Sequence, residues 1–302
     1  MQNVIKYYYN LTASEIHQKN KIYRFTANNN KYILCPYERN IEELEEIYKL
    51  YIYLTRLNMY CHKIILNKNN SIVTNINKTM YVLLLENIEN KKIDIRDINY
   101  FSRITINEPF IKIKRSNWYD LWIKKIDYIE YQISQFGIKY KLIRESCDYY
   151  IGIVENCISM LFNLRQEKNT TISHNRIYET TTLEEYLNPL NFIIDNRVRD
   201  ISEYIKSCMT KNINVIPILN KYITENKLRI EEIQLLFIRI MYPSNYLDTC
   251  EQILDKKLKE ENLKEIIDNT ENYEKQLKEI YNYLSRITYI PEIEWLKKNA
   301  AN

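Results

Sequence analysis

Residues 171–206 read TISHNRIYETTTLEEYLNPLNFIIDNRVRDISEYIK, and the reading of the chain turns on this stretch. A histidine-led polar loop, Ser173, His174, Asn175 and Arg176, comes first, and a second loop follows at Asn188-Pro189-Leu190. Asp195 and Asp200 come next. Asp200 opens a helical run whose apolar residues Ile201, Tyr204, Ile205 and Cys208 lie at i, i+3, i+4 and i+7, on one face of a helix. An aspartate in a first turn caps a helix and complements its dipole. Asp195 and Arg199 stand four apart and can pair, which is worth little at a surface. His174 has no nucleophile or carboxylate beside it in sequence, so it reads as a hydrogen-bonded structural histidine rather than a general base.

Outward from this stretch, composition narrows the classes. The chain has 302 residues, enough for a sizeable core, with 45% hydrophobic and 27% charged residues, as in ordinary globular proteins. A balance of 43 basic against 39 acidic residues, +4 net, is too mild to indicate a nucleic-acid or membrane-surface partner. Glycine occurs only twice, at Gly137 and Gly152, so no glycine-rich loop exists to bring backbone amides against a phosphate. Tyrosine is abundant at 28 residues, which suits packed assemblies and also reflects a codon bias shared with Asn, Ile and Lys. Six scattered cysteines without a CxxC pair, and only three histidines, argue against zinc and for buried, reduced thiols. The amino terminus lacks the apolar core of a signal peptide and no run approaches a membrane span, so a soluble intracellular chain is expected.

Local patterns divide the chain. Ile22–Ala27 and Lys31–Tyr37 read as strands joined by the turn-prone Asn28-Asn29-Asn30, and Pro36 closes the second. A helix follows on Ile41, Leu44, Tyr48, Tyr51 and Leu54, its first turn rich in glutamate. Strands are expected at Lys63–Leu66, Ser71–Asn75 and the continuous apolar run Met80–Leu85. Residues 86–92 are polar and read as a connector. Beyond it the pattern is nearly all helical: from Trp118 to Gln132, Tyr149–Leu164, Val215–Thr224, Ile230–Met241, Asn245–Lys257 and a charged surface helix over Leu263–Arg286. A tail bounded by Pro291 carries Trp295, expected to tuck onto the helical part.

A small β-rich lobe, a polar hinge, a large helical lobe and a histidine-led loop after the second long helix together resemble the kinase-like aminoglycoside phosphotransferase fold. Within it the chain is similar to the CotS/YutH group of spore coat proteins, and to its YutH branch most. The paired Trp118 and Trp122, the loop TISHNRI, the run from Asn188 to Lys206 and the closing IPEIEWL carry this resemblance. It implies an α+β, bilobal protein-kinase-like fold, with a β-rich lobe over residues 1–88 and a helical lobe over 89–302 forming one kinase-like unit. It also permits a check of the chemistry, because phosphoryl transfer needs a strand lysine, a loop aspartate and ligands for magnesium.

By the resemblance, the strand lysine's place is held by Cys35, which supplies no fixed positive charge. The catalytic aspartate's place is held by Arg176, whose guanidinium stays protonated and cannot act as a base. Thr181 stands for the metal-binding asparagine, and Asn188 for the metal-binding aspartate. His174, Asp195 and Asp200 remain as structural remnants, and Asp200 is implied to brace the His174–Arg176 loop. A plain helix cap is the other reading of Asp200. The resemblance thus implies a non-catalytic coat component that works with other coat proteins, made in the mother-cell cytoplasm and then placed in the spore coat. No cofactor, metal or ATP is expected. The alternative is a residual small-molecule or protein phosphotransferase with a non-standard site, in which Lys31 and an acidic residue such as Glu179 or Glu184 would converge.

Overall fold

The structure, a computed structural model, describes residues 1–86, 91–106, 109–115, 117–164 and 170–298. The chain forms two compact units. The first comprises residues 1–97, 108–114 and 180–194, and the second residues 98–107, 115–179 and 195–302. The expected connector over 86–92 falls largely outside the described residues.

In the first unit, helix α1 (Gln2–Tyr9) precedes strands β1 (Ser14–Lys19), β2 (Ile22–Ala27) and β3 (Asn30–Pro36). Helix α2 (Ile41–Arg56) follows, then β4 (Lys63–Ile65), β5 (Thr74–Ile76) and β6 (Thr79–Glu86). The antiparallel sheet runs β1-β2-β3-β6-β4, with β5 also on β6. Its tight turns need left-handed backbone, which glycine would normally supply. In this glycine-poor chain Asn20-Lys21, Asn28-Asn29 and Asn77-Lys78 take positive φ instead, asparagine being the side chain that tolerates it best. No sequence pattern marks α1 or β1, and the strand expected over Ser71–Asn75 is shifted to Thr74–Ile76.

Register decides the two sheet faces. Phe25, Tyr32, Leu34, Tyr81 and Leu83 share one face and pack with Ile5 of α1. Ile22 lies opposite Cys35 by continuation of the β2–β3 ladder, so Arg24, Ile33 and Cys35 share the other face. Lys31 pairs with Glu86 on that same face. Buried Leu44, Ile47, Leu50 and Leu54 form the stripe of α2. Each fully buried aliphatic side chain of this kind contributes about 2 kcal/mol.

The second unit is mostly helical. Helix α3 spans Ile95–Ser102 and enters it, α4 is Trp118–Phe136 and α5 is Lys141–Phe162, which starts a full two turns before the expected Tyr149. Strand β7 (Thr170–His174), helix α6 (Leu183–Tyr186, first unit) and strand β8 (Phe192–Asn196) follow. The two strands add to the expectation for this stretch, which read as loops before the helix opened by Asp200: β7 takes in Ser173 and His174 of the histidine-led loop, and β8 follows the second loop. Each is only five residues long and wholly buried, so neither shows alternation. Then come α7 (Val198–Thr210), α8 (Ile216–Asn226), α9 (Ile230–Met241) and α10 (Ser244–Leu254). Helices α7 and α9 are buried almost all round, marking them as the centre of the unit.

The expected single helix over Leu263–Arg286 is instead α11 (Lys264–Asp268) and α12 (Thr270–Ser285), interrupted at Asn269. Charge patterning continued through a residue that stops the first helix. Helix α12 also buries Leu277, Ile280 and Leu284, so only one of its faces is solvated. The tail ends in α13 (Glu294–Lys298), where Trp295 meets Tyr149 edge-on at 6.5 Å. All six cysteines are buried and free. Among the described residues no helix is long and apolar enough to cross a membrane.

Candidate functional site

The histidine-led loop is built from β7 and α7. The His174 backbone N–H donates to Asp200 Oδ1 at 2.9 Å, and ring Nδ1 lies 2.6 Å from Oδ2. Both residues are buried. Asp200 therefore braces the loop, where helix-cap geometry alone left two readings open. Arg199 holds the same loop by its carbonyls, donating from Nε to His174 O at 2.8 Å and from Nη2 to Asn175 O at 2.9 Å.

Asp195 is the second buried anchor. It accepts from Arg199 Nη1 at 2.9 Å and from Trp118 Nε1 at 3.0 and 2.9 Å. The i,i+4 pair is thus present but not at the surface: the two side chains are 1% and 4% exposed. Buried, it cannot be dismissed as a weak surface pair, because removing one partner strands the other's charge. Arg199 and Arg239 lie over the Trp118 ring, with guanidinium carbons 4.6 and 4.5 Å from its centroid. Burial pulls the Arg239 pKa down to about 10.

Arg176 is tied down by carboxylates. Nη1 lies 3.4 Å from Glu203, and Nη2 pairs with Asp248. Burial works against its charge, and Glu203 and Asp248 more than offset it, raising its pKa. Burial likewise raises the Glu203 carboxyl, but Lys206, Arg176, Arg199 and Arg239 overcome it and hold it down at about 2.

The remaining positions lie in the first unit. Cys35 is buried on β3, and burial pushes its thiol up to about 12, so it stays neutral; the Asn188 side chain reaches it. Asn188 also accepts from Leu190 N at 2.9 Å, capping the turn Pro189–Asn191. Thr181 is buried, and its carbonyl accepts from Ile93 N at 3.0 Å. Beside Cys35, Arg24 pairs with Glu184 of α6, and Glu184 O lies 2.8 Å from His62 Nε2. Burial lowers the His62 pKa. Sequence reasoning named Glu184 but missed Arg24, because its partner is 160 residues away and nothing local marks it. Lys31 faces Glu86 across the ladder in the first unit, and the Glu179 backbone N–H donates to Ser207 Oγ in the second.

Where β1 turns into β2, only Asn20 and Lys21 separate the strands. So tight a turn offers no run of free amides for a triphosphate. Among the described residues no three His, Cys, Asp or Glu side chains group as a metal site.

Comparison with solved structures shows the fold. The chain is similar to an aminoglycoside phosphotransferase from Alicyclobacillus acidocaldarius subsp. acidocaldarius DSM 446, at TM-score 0.71 and 10% identity, covering 95% of this chain and 96% of that one. It is similar to spectinomycin phosphotransferase APH(9)-Ia in complex with ADP and spectinomycin, at 0.59 and 11%, covering 94% and 96%. Amicoumacin kinase hAmiN, in complex with AMP-PNP and Ca2+, matches at 0.54 and 13%, covering 95% and 92%. No curated protein matches the sequence. The family described as "Spore coat putative kinase YutH" matches residues 2–280. With the kinase-like fold and that match over nearly its whole length, the chain belongs to the YutH family of spore coat proteins.

Proposed function

We propose that the chain is a non-catalytic, kinase-fold component of the bacterial endospore coat, with a structural or assembly role in sporulation. The observation that carries this reading is the meeting of Cys35, a neutral thiol, with the neutral amide of Asn188; on the kinase-like reading they take the places of a phosphate-holding lysine and a metal-holding carboxylate. Arg176, engaged by Glu203 and Asp248 in the base's place, supports it. Cys35, Arg176, Thr181 and Asn188 are then degenerate positions, and His174, Asp195 and Asp200 a retained frame. The lobes over 1–88 and 89–302, as one kinase-like unit, are part of this proposal. It takes no ATP, metal or cofactor. Its partners are other coat proteins, and it moves from the mother-cell cytoplasm to the coat. A fluorescent fusion followed through sporulation tests it. Fluorescence collecting on the forespore is expected, and diffuse signal in vegetative cells with none on forespores contradicts it.

A second reading, a residual phosphotransferase for a small molecule or protein, is favoured by one observation. Arg24 stands on β2, on the same sheet face as Cys35, and could carry the charge that β3 lacks. Its pairing with Glu184 weighs against availability.

A further inference from the structure

The second unit contains a cavity of about 970 Å³, inside the range of small-molecule sites. It opens beside Arg176 and runs along α7, α10 and the segment holding α11. Tyr150 and Tyr273 line it with rings whose hydroxyls are spent elsewhere, on Thr270 and on the Met241 carbonyl. Those faces offer apolar area without demanding a partner.

At the Arg176 end the carboxylates are already committed. Glu203 is shared by Lys206 and Arg176, and Asp248 by Arg176 and Lys125. What is left over is donors. Lys206 gives one N–H to Glu203 and one to Ser244 Oγ, each at 2.8 Å, which leaves a third. Ser244 is the first residue of α10, so this ammonium sits at a helix amino terminus. There the amides of Asn245 and Tyr246, both cavity residues, have no acceptor among the described residues. Tyr242 supplies an independent observation. It is 8% exposed, lines the cavity, and its hydroxyl has no hydrogen-bond partner among the described residues. An unpartnered hydroxyl on a nearly buried tyrosine, a spare ammonium proton and two free amides along one cavity call for an acceptor. Burial also lowers the Lys206 pKa despite Glu203, as for an ammonium with too little negative charge around it.

We propose that this cavity binds a small organic oxyanion, a carboxylate or a phosphate ester, with its charge between Lys206, the Tyr242 hydroxyl and the amino terminus of α10. The uncharged part of the ligand lies along Tyr150 and Tyr273. The site requires neither nucleotide nor phosphotransfer, and stands apart from the coat reading.

The test is calorimetric titration of the full chain with inorganic phosphate and, separately, with benzoate, at ionic strength held constant with chloride. Saturable binding of at least one probe is expected, and which one binds tells phosphoryl from carboxylate recognition. Lys206→Met should weaken it about tenfold, and Tyr242→Phe about threefold, from loss of a charge-assisted and a neutral hydrogen bond respectively. Lys275→Ala, an exposed lysine of α12 outside the cavity, should leave it unchanged. If Lys206→Met does not fold, Tyr242→Phe, which removes one oxygen, decides alone. Absence of saturable binding by either probe, or binding untouched by the cavity substitutions, overturns the proposal.

Discussion

The backbone N–H and the imidazole of His174 both end on one carboxylate, that of Asp200, at 2.9 and 2.6 Å. One side chain at the start of α7 thereby fixes both the path of the loop and the orientation of its ring. Geometry of this kind holds a loop still whether or not the loop performs chemistry. Asp200→Ala would bury an unpaired amide and an unpaired ring nitrogen. It should cost about 3 kcal/mol in denaturant unfolding, since each lost bond to a charged group is worth about 1.5–3 kcal/mol. A change below about 0.5 kcal/mol, the range of an inert surface substitution, would remove the brace from the account.

Trp118 combines two roles that substitution can separate. Its Nε1–H holds Asp195, and its ring carries the guanidinium groups of Arg199 and Arg239. Trp118→Phe keeps a ring and loses the donor, so it should destabilise by about 1–3 kcal/mol. Trp118→Leu should cost more, because the cation–π contacts go as well. Equal losses in the two variants would mean that the cation–π contacts with Arg199 and Arg239 contribute nothing.

Acid sensitivity should trace to Glu203. Its pKa in the folded chain is about 2 against 4.5 for the free side chain. A depressed carboxyl contributes stability in full above its unfolded pKa and loses it as pH falls through the folded one. Glu203→Gln should therefore reduce the dependence of stability on pH between 4.5 and 2. Unchanged dependence over that window would place the acid-labile interactions elsewhere.

The cysteines give a solution check on burial. Thiols pushed up to about 12 at Cys35, Cys61 and Cys250, and to about 11 at Cys208, carry almost no thiolate at pH 8. Intact mass after iodoacetamide treatment of the native protein should show little alkylation, and six additions after denaturation. Rapid native labelling of Cys35 would mean that β3 is open where the account has it closed.

Much of this was legible in the sequence wherever periodicity was strong. Strand β2 at Ile22–Ala27 and helix α9 at Ile230–Met241 fall where their patterns predict. What escaped had physical reasons. Strand β1, SEIHQK, is a largely exposed edge whose polar residues carry no alternation. Strands β7 and β8 are only five residues each and buried throughout, so they show no alternation, and the polar residues of β7 read as a loop. His174, Asp195 and Asp200 lie in one stretch of sequence, and the structure links His174 with Asp200 and Asp195 with Arg199 and Trp118. Their burial was not legible, and the Asp195–Arg199 pair looked like a surface contact for that reason. The Arg24–Glu184 pair and the donor-rich end of the cavity are products of tertiary packing with no local signature.

The central claim is a kinase frame without nucleotide chemistry, and thermal unfolding of the purified protein with and without ATP and magnesium tests it most directly. A binder of the folded state at a hundred times its Kd would add about 2.7 kcal/mol, a shift easily read in Tm. The account predicts the same Tm with and without ATP and magnesium. A saturable rise in Tm that is lost in Arg24→Ala or Asn188→Ala would contradict it, and would establish nucleotide binding beside Cys35.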